Sequence, residues 1–267
     1  MKPHIVAIIQ ARMAASRLPG KVLLEIEGRP MLAWVVERTR RAATIDEVVV
    51  ATTDSPADDA VEDYCLDQGY ACFRGSQYDV LDRYYQAARQ YKADVIVRIT
   101  ADCPLIDPGV MDATVRAFLG LPVDSDLWSS TDGPYDFVAN RLPPPWKRTY
   151  PIGLDTEVCS IQALETAWAE AKEPHQREHV MPFFYEQPER FRILHLTHDP
   201  DFGDLRWTVD TPADMELVRH IAARFQGRID FSWREVLDLF THQPQLAEIN
   251  SGVQAKHYRQ TDYRRND

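Results

Sequence analysis

Short, near-continuous apolar runs alternate with amphipathic stretches through the first half of the chain. "HIVAIIQ", "DEVVVATT", "YACFRG" and "DVIVRIT" are β-branched and show no polar alternation, which predicts strands covered on both faces. The stretches between them carry helix-start signals. Ser55 precedes Pro56, with Asp58 three residues after the serine and Gly69 as the stop, and the inward stripe reads Val61, Tyr64, Cys65 and Gln68. Asp79 opens a second helix, with Leu81, Tyr84, Tyr85 and Ala88 at helical spacing; Asp107 and Pro108 open a third over Met111, Val115, Phe118 and Leu119. This βαβ alternation predicts an α/β fold, a parallel sheet with helices on both faces and ligands at the carboxyl ends of its strands.

From about Gly120 the pattern changes. "LPPPWKRTYPIGLDTEV" places three prolines in a row, which no central strand or helix interior accommodates, so it reads as a proline-rich excursion from which "DTEVCS" returns to the sheet. A helix from Ser160 through Ala171, strands at "RILHLT" and "LRWTVD", a helix opened by Thr211, Pro212 and Asp214, and a last helix behind the Ser232/Glu235 capping box complete the expected elements. From Asn250 onward the chain is polar and aperiodic and is expected to be loosely ordered.

Composition narrows the classes. The 267 residues suffice for a full core, and 45% hydrophobic with 27% charged residues is a globular balance. A formal net charge of -11 argues against broad nucleic-acid binding. No apolar run is long enough for a membrane span or a signal-peptide core, so no membrane partner and a cytoplasmic location are expected. Cys65, Cys72, Cys103 and Cys159 are scattered and form no Cys-x-x-Cys pair, which fits reduced thiols.

Against this acidic background, "IIQARMAASRLPGKVL" concentrates Arg12, Arg17 and Lys21 directly after the first strand. It is neither a G-x-G-x-x-G fingerprint nor a Walker loop, since Val22 follows Gly20-Lys21. Small Ala14, Ala15 and Ser16 would let backbone N–H groups approach a polyanion while the three cations neutralise it; a solvated surface loop is the alternative. Asp102 and Asp210 each follow a strand-like run; by position alone they read equally as a turn former and a helix cap. Arg98 and Arg206 lie inside strand-like runs and require a carboxylate or a ligand. His175 and His179 are four apart but lack an evident third zinc ligand. Trp128, Trp168 and Trp207 are assigned to packing.

The loop Gln-Ala-Arg-x-x-x-Ser-Arg-Leu-Pro-Gly-Lys resembles the signature of cytidylyltransferases that activate acidic sugars, the CMP-ketodeoxyoctulosonate and CMP-sialate synthetases, and most of all their spore-coat polysaccharide relatives of SpsF type. The likeness continues through "VVVATTDSPADD", "CFRGSQYDVLDRYYQAA", "VIVRITADCPLIDP", "RTYPIGLDTEV", "REHVMPFFYEQPERF" and "LRWTVDTPADMELV". The resemblance implies a Rossmann-like, GT-A-related three-layer nucleotidyltransferase over 1–249, with a nucleotide-binding half at 1–119, an acceptor-binding and dimerisation half at 120–249, and a tail at 250–267.

It also implies CTP, Mg²⁺, a small anionic acceptor, pyrophosphate release and a homodimer. By matched position, Arg12, Lys21, Asp102 and Asp210 are the catalytic candidates, and Asp102 with Asp210 the metal ligands. Gln10, Ala11, Arg12, Ser16, Arg17, Lys21, Thr52, Asp54, Arg74, Arg83 and Asp102 are the nucleotide-site candidates; Arg148, Tyr150, Asp155, Glu157, Arg177, Glu178 and His179 face the acceptor. Ala15 stands where these enzymes usually carry serine, leaving Ser16 to supply that hydroxyl. A different nucleotide specificity, a sugar transfer on the same fold, or a non-catalytic nucleotide-binding module are the alternatives to be separated.

Overall fold

The computed structural model describes residues 2–123, 134–254 and 259. Its strands are β1 (Ile5–Gln10), β2 (Glu25–Ile26), β3 (Arg29–Pro30), β4 (Glu47–Thr53), β5 (Ala71–Gly75), β6 (Val95–Thr100), β7 (Phe137–Ala139), β8 (Glu157–Ser160) and β9 (Ile193–His195). The helices are α1 (Met31–Thr39), α2 (Asp59–Gln68), α3 (Val80–Gln90), α4 (Pro108–Phe118), α5 (Ile161–Glu170), α6 (Pro174–His179), α7 (Pro182–Tyr185), α8 (Pro212–Arg224) and α9 (Trp233–His242). β2 and β3 form a small hairpin; the main sheet runs β5-β4-β1-β6-β8-β7-β9. β5, β4, β1 and β6 are mutually parallel, and β8 pairs antiparallel with both β6 and β7.

Burial explains the apolar runs. Along β1, Ile5, Ala7 and Ile9 pack with residues of α1, α2 and α4, whereas Val6 and Ile8 pack with α3, α5 and α7 on the other side. Helices therefore cover both faces, and a polar residue in either alternating set would lie in a core. A third apolar cluster joins α8 and α9 to Trp34, Tyr150 and Trp207.

The helix caps fall where the sequence places them. Asp79, Asp107, Ser160, Thr211 and Ser232 each accept the backbone N–H that caps α3, α4, α5, α8 and α9 respectively. Four expectations change. Pro56–Asp58 is a 3₁₀ turn before α2, because the Asp58 carboxylate turns away to bind Thr53 and Met13. Gln68 is exposed rather than part of the α2 stripe. "LRWTVD" is extended but pairs only through an Ile152–Arg206 bridge; its N–H groups at Trp207 and Val209 go to the Ile152 and Asp102 carbonyls, so no sheet edge receives it. Asn250, at the start of the expected loose tail, is buried.

Within the excursion, Phe137–Ala139 forms a strand too short for any periodicity to mark. Trp207 is fully buried and Trp168 stacks on Tyr85 with ring centroids 4.5 Å apart, whereas Trp128 and much of the tail lie outside the described residues. Among the described residues no helix is long and apolar enough to cross a membrane.

Arg38 shows how the α1 side is closed. Its side chain is fully buried and donates to the carbonyls of Ile106, Ile229 and Phe231 at 2.7, 2.6 and 3.0 Å, tying α1 to the segments before α4 and α9. Burial draws its pKa down to about 10, so it stays charged at neutral pH. Replacing it by methionine leaves three carbonyls without a donor, and we expect a stability loss of about 3 kcal/mol or more in urea unfolding.

Candidate functional site

β1 ends at Gln10, and the basic loop begins at the open end of the parallel strands. Ala11 N–H still reaches back to the Ala51 carbonyl at 3.2 Å. The turn then closes on Met13, whose carbonyl accepts from Ala15 and Gly20 N–H at 2.9 and 2.8 Å. Met13 N–H in turn donates to Asp58 Oδ1 at 2.6 Å, and Asp58 is buried with Thr53 as its second partner. Gly20 has φ +70°, where an L side chain is strained, and this conformation aims the following Lys21 inward.

The Lys21 ammonium uses all three of its donors. It reaches Asp102 Oδ2 at 2.9 Å, Asp210 Oδ1 at 2.9 Å and the Val209 carbonyl at 2.8 Å. Burial alone would lower the Lys21 pKa, but Asp102 and Asp210 outweigh it and the net shift is upward. Burial alone would likewise raise Asp102; Lys21 reverses that and holds the carboxyl below its ordinary range. The other Asp210 oxygen accepts a hydrogen bond from Arg206 at 2.7 Å and forms an ion pair with Arg17 at 2.8 Å. Arg206 is anchored in turn on fully buried Asp214.

These groups face a cleft of about 930 Å³. Gln10, Ala11, Arg12, Ser16, Arg17, Lys21, Arg83, Asp102, Arg148, Asp155, Glu178, His179 and Asp210 all line it, so most of the candidates named from sequence converge. The proline-rich segment supplies one wall through Leu142, Pro143, Pro144, Trp146 and Lys147.

Six candidates lie off this wall, each with another engagement. Thr52 is buried in β4. Asp54 follows β4, with its N–H on the Gly75 carbonyl. Arg74 clamps Asp59, Glu62 and the Thr53 and Ser55 carbonyls. Tyr150 packs against His198 and Trp233. Glu157 holds Arg98. Arg177 pairs with Asp79 and the Trp168 carbonyl, which places its charge at the start of α3.

The expected partners of the strand arginines are thus Glu157 for Arg98, and Asp210 with Asp214 for Arg206. Arg148 and Asp155 form a two-pronged pair in which the arginine outweighs burial and keeps the carboxyl low. His175 meets Glu186 at 2.9 Å rather than a histidine partner.

Sequence reasoning passed over Asp58, Arg141 and Cys103. The first looked like a helix start, and the second sits in the irregular excursion. Burial pushes the Cys103 thiol well up, so it is a neutral lining group beside Asp102 and not a nucleophile.

Among the described residues no cluster of three or more His, Cys, Asp or Glu is poised for a metal. The Asp102/Asp210 pair is a hard-oxygen set of the kind that holds Mg²⁺ when substrate phosphates complete its coordination.

The family model described as Cytidylyltransferase matches residues 6–226 of this chain. The spore coat polysaccharide biosynthesis protein SpsF of Bacillus subtilis is 33% identical over 250 residues, covering 91% of this chain and 96% of its own. A cytidylyltransferase structure from Leptospira borgpetersenii superposes with TM-score 0.82 at 31% identity, covering 96% of this chain and 100% of that one. A structure of CMP-2-keto-3-deoxy-manno-octonic acid synthetase complexed with CTP shares the fold, with TM-score 0.58 at 21% identity, covering 82% and 98%.

Lys21→Met tests the centre through its pH dependence. In the native protein Asp102 has a lowered folded pKa, so its contribution is present above the unfolded value of 3.8 and is lost as pH falls through the folded one. Without Lys21, burial and Asp210 raise the folded pKa above the unfolded value, so the variant loses stability as pH rises from about 4 toward 7. Urea midpoints measured across that range check the reversal of sign.

Proposed function

The chain belongs to the cytidylyltransferase family, and we propose that it transfers CMP from CTP to an acidic sugar or another small anionic acceptor, in surface-polysaccharide or glycan assembly. The observation that carries this reading is a single cleft with Arg12, Arg17, Lys21, Asp102 and Asp210 at the strand ends, and Arg141, Lys147 and Arg148 on its far wall. The polysaccharide role in the name of SpsF and the CTP bound to the octonic acid synthetase support it.

An acceptor oxygen attacks the α-phosphorus of CTP in line. A new P–O bond forms, the bond to the β-phosphate oxygen breaks, and its electron pair leaves with pyrophosphate. Arg12, Arg17 and Lys21 bind the triphosphate and stabilise the charge that builds on it, so catalysis is positioning and electrostatics. A divalent cation held by Asp102 and Asp210, Mg²⁺ in this proposal, would supply charge neutralisation at the phosphates.

In the structure Lys21 and Arg17 rest on those two carboxylates. Triphosphate binding is therefore an exchange, in which the cations move to phosphate oxygens and the carboxylates become available to the metal.

On the acceptor side, Arg148 is compensated by Asp155 and Arg98 by Glu157, whereas Arg141 stands 4.0 Å from a Glu157 already held by Arg98. Arg141 is the guanidinium with charge left for an acceptor carboxylate or phosphate. An acceptor phosphate would attack already ionised; an acceptor hydroxyl would need a base. Pairing of two copies through the excursion belongs to the same proposal, and light scattering at micromolar concentration tests it.

The deciding assay is pyrophosphate release with Mg²⁺, each of four ribonucleoside triphosphates and a panel of phosphorylated and carboxylated small acids. We expect release with CTP and an anionic acceptor, reduced by roughly 10²-fold or more in Asp102→Ala. Release with another nucleotide overturns the base assignment; unchanged turnover in Asp102→Ala overturns the role of the carboxylate.

A further inference from the structure

The residues after α9 extend beyond the matched 6–226, yet they return to the residues that hold Asp210 at the edge of the cleft. Asn250 is 6% exposed, and its amide donates to the Arg206 carbonyl at 3.0 Å and to Asp214 Oδ1 at 2.9 Å. Asp214 also accepts from Arg206 Nε, from the backbone N–H groups of Asp210 and Thr211, and from the Thr211 hydroxyl. Four residues later the Gln254 carbonyl accepts from Arg17 Nη1 at 3.1 Å. Arg17 and Arg206 are the two arginines paired with Asp210 Oδ2. One short segment therefore braces Asp210 from both sides: through Asn250, Asp214 and Arg206, and through Gln254 and Arg17.

The geometry points to Asn250 as a positioning residue that, with its C-terminal segment, sets the orientation of Asp210 for divalent cation and triphosphate. This rests on the function proposed above. Only an amide that both fits the site and donates two hydrogen bonds holds the Arg206 backbone and the Asp214 carboxylate together. Without it the Arg206 carbonyl loses its donor and Asp214 one of its five, the hold on Arg206 and Asp210 loosens, and the cost falls on the metal-dependent part of triphosphate binding.

Calorimetry of CTP binding to the full chain, with Mg²⁺ and with EDTA, tests this on Asn250→Ala and on Asn250→Ser, whose hydroxyl keeps one donor in the site and carries the comparison if the alanine variant does not fold. We expect a roughly tenfold weaker affinity with Mg²⁺, little change with EDTA, and a fall in kcat exceeding the change in KM. Thr241→Ala, exposed on α9 and outside both the cleft and the bracing segment, should match the native protein. Equal loss with Mg²⁺ and with EDTA, or native affinity in a folded variant, overturns the inference. Absence of CTP binding to the native chain overturns the proposed function, and this inference with it.

Discussion

The ammonium of Lys21, buried between Asp102 and Asp210, is the contact on which the cleft depends. Its three partners come from two distant parts of the chain: Asp102 from the turn after β6, and the Val209 carbonyl and Asp210 from the segment entering α8. An unpaired buried ammonium costs several kcal/mol, and two unpaired carboxylates facing each other cost more. The backbone bond from Val209 N–H to the Asp102 carbonyl, at 2.8 Å, sets the two carboxylates side by side, and Lys21 makes that proximity tolerable. In the proposed function, this pair of carboxylates with its cation is the state that a metal-bound triphosphate would replace.

The same economy of charge runs through the molecule. The chain is strongly acidic, and four of its buried or half-buried arginines are each matched by a carboxylate: Arg98 by Glu157, Arg148 by Asp155, Arg177 by Asp79 and Arg206 by Asp214. Such pairs contribute little net stability but fix geometry, since a guanidinium held at two or more atoms cannot rotate freely. Of the four, Arg98, Arg148 and Arg206 line the cleft, so their directions are held by these pairs.

Much of this was legible in the chain. The parallel strands were visible because both faces are covered, so that every position of β1 had to be apolar until Gln10. The caps were visible because a helix start needs a local acceptor and these side chains are local. The basic loop stood out because three cations gather in a short stretch of an acidic protein. By contrast, β7 has three residues, too few to show a period, and "LRWTVD" has strand composition but its N–H groups find loop carbonyls. Asp58 shows the same limit within the site. Its sequence neighbours suggest a helix start, whereas its carboxylate holds the phosphate-loop candidate at Met13.

By itself the sequence determined the α/β alternation, the starts of α3, α4, α5, α8 and α9 and the residues of the loop and carboxylates, because each depends on local spacing, burial on two faces or local capping. Tertiary structure alone decided which charges pair. Arg74 and Arg177 turned to structural carboxylates, Arg141 to a shared one, and Asn250 from an apparently polar tail to a buried support of Asp214. Pairing across the fold depends on distances of a few ångströms between segments up to two hundred residues apart, and spacing along a chain carries no record of them.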